Sequence, residues 1–383
     1  MRPRLPILLL AVSGLAAAAW QAPQALEMRA PGTGAATAAT NAPAAPTSAA
    51  APSSPFRHVI LVSVDGLRPD AIDGPEDGAL PAFARLRQGP GTLQARADPD
   101  FTITLPNHVG MLTGRPVMGP QGHAWRENDD PRAARDGGTI HKHRGFYVAS
   151  AFDVAHDHGR FTAVVAAKEK FVLLQQSYDS DAGAPDQTGT DHGRAKIDAY
   201  AWSRDPQLKA RTVLEFLRSA RDGSFIFLHL GEPDYAGHAE GWDLRAGSAY
   251  RAAVTASDAA LGTLLAGIDA DPALRGQVAI VLTADHGGGD PFRNHGVARA
   301  RENFLVPLLV WLGRDTAPQE LIALNADHRA VVSAETWLPL EASPPPVRSA
   351  ETGNLALQLL GLPPIPGSVA NARQDLRLQE PAR

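Results

Sequence analysis

The stretch His58-Val59-Ile60-Leu61-Val62-Ser63-Val64 is almost wholly apolar, rich in β-branched residues, and stops abruptly at Asp65. A strand with no polar face must be covered on both sides, the condition of a parallel strand inside a layered domain. Runs of the same profile occupy residues 162–167, 225–230 and 278–283, and 305–312 reads as a later strand. Between them, residues 207–220 and 250–268 carry apolar residues at helical spacing. Strands alternating with helices predict an α/β layered domain. Pro and Gly gather in 114–145 and 181–193, which predicts loops or a small cap, roughly 115–200, over whatever site the sheet builds.

The folded part has an abrupt start. Residues 1–19 have the form of an export signal, with Arg2 and Arg4 ahead of an apolar run from Ile7 and a small-residue cleavage site at Ala17-Ala18-Ala19. That run falls short of the roughly 20 residues a membrane span needs, so an exported, periplasmic or secreted protein with no stable membrane span is expected, the alternative being an uncleaved anchor. Residues 20–55 are mostly Ala, Pro, Thr and Ser, a composition that cannot bury enough surface to fold and predicts a disordered linker; residues 56–383 remain for the folded domain. With 36 basic against 41 acidic side chains the net charge is -5, and no block of consecutive Lys or Arg offers a footprint for duplex nucleic acid. There is no cysteine, so disulfides and thiolate chemistry are excluded and any metal must be held by oxygen and nitrogen. Asp-His-Gly-Arg occurs twice, at 157–160 and 191–194, and is read as coincidence.

Ligands of open α/β sheets collect beyond the carboxyl ends of the strands, so the polar residues that end the apolar runs are the first candidates. They are Asp65; Asp234 and His238 after the third run; Asp285 and His286 after the fourth; and His295 soon after. Asp234 and His238 stand four apart, which on a helix puts both on one face. An Asp after a strand is commonly a helix cap, and a lone His is commonly structural. Six such residues at strand ends of one chain amount to the donor supply of two metal ions. Thr104-Leu105-Pro106-Asn107-His108 is the second motif. Pro106 is tolerated in a first helical turn, so Thr104 falls at or near a helix N-terminus, where an anion is favoured. Coordination to a metal would turn its hydroxyl into a nucleophile, and Asn107 on the same face could donate to a phosphoryl oxygen; the alternative is a plain helix cap with a surface Asn.

Taken in order, these blocks resemble the nucleotide pyrophosphatase/phosphodiesterase family of the alkaline phosphatase superfamily, over His58 to about Pro366. The resemblance implies a mostly parallel central sheet flanked by helices on both faces. It implies two zinc ions, with Mn or Fe also admitted by the donors: Asp65, Thr104, Asp285 and His286 around one, Asp234, His238 and His295 around the other. It implies that Thr104 attacks phosphorus, that Asn107 hydrogen-bonds a phosphoryl oxygen, and that a phospho-threonine intermediate is hydrolysed. The substrate class it implies is a small phosphodiester or nucleotide; the oligomeric state stays open.

Relatives separate by residue type. Sulfatases need a modified Cys or Ser in a C/S-x-P-x-R string, whereas Thr104 is followed by His108 where that Arg would stand. Phosphomonoesterases of the superfamily bring an Arg to the phosphate, and residues 99–114 hold no basic residue except His108. Phosphonoacetate hydrolase is the nearer rival, since it binds a substrate carboxylate with paired lysines that Lys168 and Lys170 resemble. Both would reach one anion if the chain there is extended; the other reading is a solvated loop with Glu169 paired to a neighbour. A phosphoglycerate mutase of the metal-dependent type would need a Ser nucleophile and a large inserted domain, and a non-catalytic binding module should show a damaged nucleophile or ligand; neither pattern is present. His108, His123, Trp125, His156, His158 and His192 are secondary candidates for second-shell or cap positions, with Trp125 able to stack on a base or aryl group.

Overall fold

The computed structural model describes residues 56–73, 80–133, 138–188 and 193–379, so the expected signal and linker, and His192, lie outside the described residues. Eight strands form one sheet in the order β4-β3-β5-β1-β6-β7-β2-β8. They are β1 (His58–Val64), β2 (Pro90–Arg96), β3 (Phe161–Ala166), β4 (Ala199–Trp202), β5 (Ser224–Leu230), β6 (Val278–Thr283), β7 (Leu305–Trp311) and β8 (Gln319–Glu320). All of β1, β5 and β6 is buried, as strands without a polar face require. β1 pairs in parallel with β5 on one side and β6 on the other, and β3 and β4 extend the parallel part. β7 runs antiparallel to both β6 and β2.

Helices cover both faces, as expected. They are α1 (Pro81–Leu86), α2 (Thr104–Thr113), α3 (Ile140–Arg144), α4 (Ala151–Asp157), α5 (Val172–Ser177), α6 (Pro206–Ser219), α7 (Glu232–Glu240), α8 (Ala249–Ala270), α9 (Arg301–Phe304), α10 (Leu321–Leu324) and α11 (Thr352–Leu359). α8 packs on α1, α6 and α7 to make one layer, with α6 seated on β3 and β5; α2, α4 and α11 pack together in the other, with α11 on β1 and β6. α6 begins at the Asp205 cap with Pro206 in its first turn, and α8 begins at the Ser248 cap. Each of these caps accepts backbone N–H groups that would otherwise lack partners.

Two expectations need correction. Within the stretch 115–200, β3 and β4 belong to the central sheet rather than to a cap over it. Residues 169–171 are not extended: past Lys168, whose backbone is still extended, they form a 3-10 turn that buries Phe171. Among the described residues no helix is long and apolar enough to cross a membrane.

Candidate metal centre beside Thr104

Four neighbouring parallel strands, β3, β5, β1 and β6, end at one place. Asp65 follows β1, Asp285 and His286 follow β6, α7 carrying Asp234 and His238 follows β5, and Lys168 follows β3. The chain turns sharply after β1 at Gly66, whose φ is +69°, and a side-chain carbon there would stand 3.1 Å from the Cα of Asp234. Glycine therefore lets the β1 turn press against α7 and bring the carboxylates of Asp65 and Asp234 together.

The side chains form two groups. In the first, Nε2 of His286 lies 3.1 Å from Oδ2 of Asp285 and 3.5 Å from Oδ1 of Asp65. In the second, Nε2 of His238 lies 3.3 Å from Oδ1 of Asp234, and Nε2 of His295 lies 3.7 Å from the same oxygen. His286 and His295 stack with ring centres 3.6 Å apart, joining the groups.

The tautomers follow from the other ring nitrogens. Nδ1 of His286 donates to the carbonyl of Gly287, Nδ1 of His238 to that of Arg293, and Nδ1 of His295 to that of Thr102. Each ring thus turns an Nε2 lone pair inward, the usual arrangement of a ligating histidine. Oδ1 of Asp65, Oδ1 of Asp234, Oδ2 of Asp285 and Nε2 of His286 are all buried with no hydrogen-bond partner. Buried acceptors left unpaired are costly, and here they converge, so the donor set fits divalent cations. The nitrogen and carboxylate donors suit zinc and also admit manganese or iron.

Charge is divided unequally among the acids. Burial pushes Asp65 up, but Lys168 and His229 beside it outweigh that and hold its carboxyl well below the usual range. Asp285 is pushed well up by burial and by the Asp65 charge. Burial, with His295 next to it, lowers His286 to about 3, so its ring is neutral and able to ligate. His238 is raised chiefly by its contact with Asp234, and its Nε2 lies 3.2 Å from that of His295.

Thr104 is the first residue of α2 and is almost completely buried. His108, one turn on, donates from Nδ1 to the Thr104 carbonyl at 2.7 Å and accepts from the Ser63 hydroxyl at 2.8 Å, with Oδ2 of Asp285 3.5 Å from the same Nδ1. This ring is therefore a buried strut between α2, β1 and the first ligand group. Asn107 is occupied otherwise than expected: its amide nitrogen donates to the carbonyls of Phe101 and Ile103, and its oxygen accepts from the Asp98 N–H. It fastens the loop that leads into α2, because a buried amide must satisfy its groups with whatever backbone is near.

Asn128, which the sequence did not single out, lies at the start of α2. Its side-chain oxygen accepts the Leu105 N–H at 3.0 Å and the Lys170 ammonium at 2.8 Å, next to Thr104. Lys170, pulled down to about 8 by burial and by Lys168, thus sits on the Thr104 side of the centre. Lys168 points instead into the carboxylates, 2.6 Å from Asp65 and 2.5 Å from Asp234. Glu169 does pair with a neighbour, Arg132, at 3.2 Å. His229 was also missed: from β5 its Nε2 donates to Oδ2 of Asp65 at 2.9 Å while its Nδ1 accepts the Ala167 N–H. Its signal was a polar residue one place before the end of an apolar strand, in register with Ser63 of β1.

Apart from His108, the described secondary candidates lie outside both ligand groups. Trp125 is buried, its indole bound to the Glu127 carbonyl, so it offers no face to a base. His123 is buried and accepts the Trp125 N–H, and His158 donates to the Val154 carbonyl at the end of α4. His156, Asp157 and Asp186 form a third acid-histidine group, but the Lys196 ammonium already lies 2.7 Å and 2.5 Å from its two carboxylates.

Solved structures share this fold. A solved protein of the alkaline phosphatase superfamily from Vibrio parahaemolyticus matches with a TM-score of 0.53 at 15% identity, covering 84% of this chain and 70% of that one. A 2-O glycosaminoglycan sulfatase matches with a TM-score of 0.52 at 11% identity, covering 85% and 76%. At such identities these likenesses establish the fold and nothing finer. No curated protein sequence matches the chain. The family profile for type I phosphodiesterase/nucleotide pyrophosphatase matches residues 139–333, just over half the chain, and the chain belongs to that family of hydrolases.

Proposed function

We propose that this chain is a two-metal hydrolase that cleaves phosphodiester or nucleotide pyrophosphate bonds through a phosphorylated Thr104. The observation that carries the reading is the set of inward, unpartnered atoms on Asp65, Asp234, Asp285 and His286 at the end of the sheet that also approaches α2. Asp65, Asp285 and His286, with Thr104, would hold one ion, and Asp234, His238 and His295 the other. Divalent ions bound there supply positive charge that lowers the pKa of a coordinated hydroxyl and stabilises a departing oxygen.

The chain's own groups do the rest. Thr104 Oγ1 forms a bond to phosphorus as the bond to the leaving oxygen breaks in line with it. Water then cleaves the Thr104–phosphate ester, returning the hydroxyl and releasing a phosphomonoester. The N-terminus of α2 favours the anionic group, and Asn128 and Lys170, bonded to each other beside Leu105, would flank the attacked phosphorus. His229 and His108 hold Asp65 and the start of α2 in place. Residues 1–19 support export to the periplasm or the medium as the site of action.

A second reading is favoured by one observation: Lys170 brings a cationic side chain to Asn128 on the Thr104 side of the centre. That suits a phosphonate or monoester carrying a further negative charge. One comparison separates the two. On the diesterase reading, the purified protein hydrolyses bis-p-nitrophenyl phosphate faster than p-nitrophenyl phosphate or phosphonoacetate. It loses that activity with a chelator, and loses at least about a thousandfold in Thr104→Ala, as removal of a nucleophile does. Preference for the monoester or for phosphonoacetate selects the second reading, and full activity in Thr104→Ala eliminates both.

A further inference from the structure

Lys168 is placed where a lysine that serves only substrate would not be. Its ammonium touches Oδ2 of Asp65 and Oδ2 of Asp234, one carboxylate from each ligand group. The oxygens it takes are not the unpartnered ones, which are the Oδ1 atoms of the same two residues. Each carboxylate is thus shared, with one oxygen on the lysine and the other facing a histidine group. The lysine is also fixed at its root. The preceding residue, Ala167, gives its N–H to His229 and receives the Tyr235 hydroxyl on its carbonyl, and His229 itself holds Asp65.

We propose that Lys168 is a built-in counter-cation of the centre: it holds the two ligand groups together in the metal-free chain, and it lowers the affinity of both for divalent metal. The proposal rests on the two-metal reading and adds to it the residue that sets how tightly metal is held. Two physical effects act in the same direction. A buried carboxylate without a partner is costly, so the lysine stabilises the metal-free state from which binding is measured. An ammonium a few ångströms from a divalent ion also repels it in a poorly polarisable interior. Removing the charge therefore destabilises the metal-free protein and tightens metal binding. A lysine that merely supported the fold would do the opposite on removal, because loosened ligands bind metal less well.

The test uses the full-length chain stripped of metal, as wild type, Lys168→Met, Lys168→Gln and Lys168→Arg. Zinc affinity and stoichiometry are read by competition with a chromophoric chelator, and melting temperature is read without metal. The expected result is a lower metal-free melting temperature in Lys168→Met together with zinc binding tighter by about tenfold or more, with Lys168→Arg close to wild type. Lys168→Gln keeps a hydrogen-bond donor without the charge and carries the comparison if Lys168→Met does not fold. Unchanged or weaker zinc binding in the neutral variants overturns the proposal. Wild-type protein that takes up fewer than two zinc ions overturns the two-metal reading itself, a result visible without any variant.

Discussion

His58 and His229 sit near opposite ends of the paired strands β1 and β5, and burial keeps both neutral. His58, bound to the Ser224 hydroxyl and facing Arg57 and Arg160, is lowered from 6.5 to about 4, chiefly by burial. The folded chain therefore takes up this proton only below about 4, while the unfolded chain takes it up near 6.5. Stability is complete above the unfolded value and is lost as pH falls through that window. Urea unfolding at pH 7.5 and pH 5 should show His58→Gln losing about 1–2 kcal/mol less than wild type over this interval; an identical loss in both would contradict it. His229 holds Asp65 by a hydrogen bond, and a ring buried in a strand for that purpose looks in the sequence like any core histidine. Asp65, Asp285 and His286 stood out as candidates because they stand at or just past the end of an apolar run, where a polar residue has few structural excuses. Asn128 did not, because it lies in an irregular segment 24 residues after Thr104 and only folding brings it to α2.

At the level of elements, strands with no polar face announced themselves and the others did not. β1, β3, β5 and β6 were expected within a residue of where they lie. β2 carries Gly91, Gln94 and a register shift against β7, and its sequence lacks the unbroken apolar run. The direction of β7 was not legible either, since an apolar run reads the same in both directions. The turn after β1 is the element on which the site's geometry depends most. An alanine at Gly66 would carry a side chain at positive φ and press on the backbone of Asp234. Gly66→Ala should cost about 1–3 kcal/mol of stability and weaken metal binding together, since strain and displacement of Asp234 share one cause. Chemical unfolding and zinc titration of the variant measure both, and a loss of stability with metal affinity intact would separate the turn from the centre.

On the scale of the whole molecule, one sheet gathers residues separated by more than 200 positions because its parallel core strands all end on the same side. Part of the expected cap at 115–200 is corrected for the same reason: β3 and β4 belong to that sheet, and Lys168 reaches the centre from the end of β3. The measurement that bears most directly on this arrangement is anomalous scattering from crystals of the zinc-loaded chain. Two peaks are predicted, roughly 3.5–4 Å apart as in two-metal sites, one among Asp65, Asp285 and His286 and the other among Asp234, His238 and His295. A single peak, or zinc bound away from these residues, would contradict it.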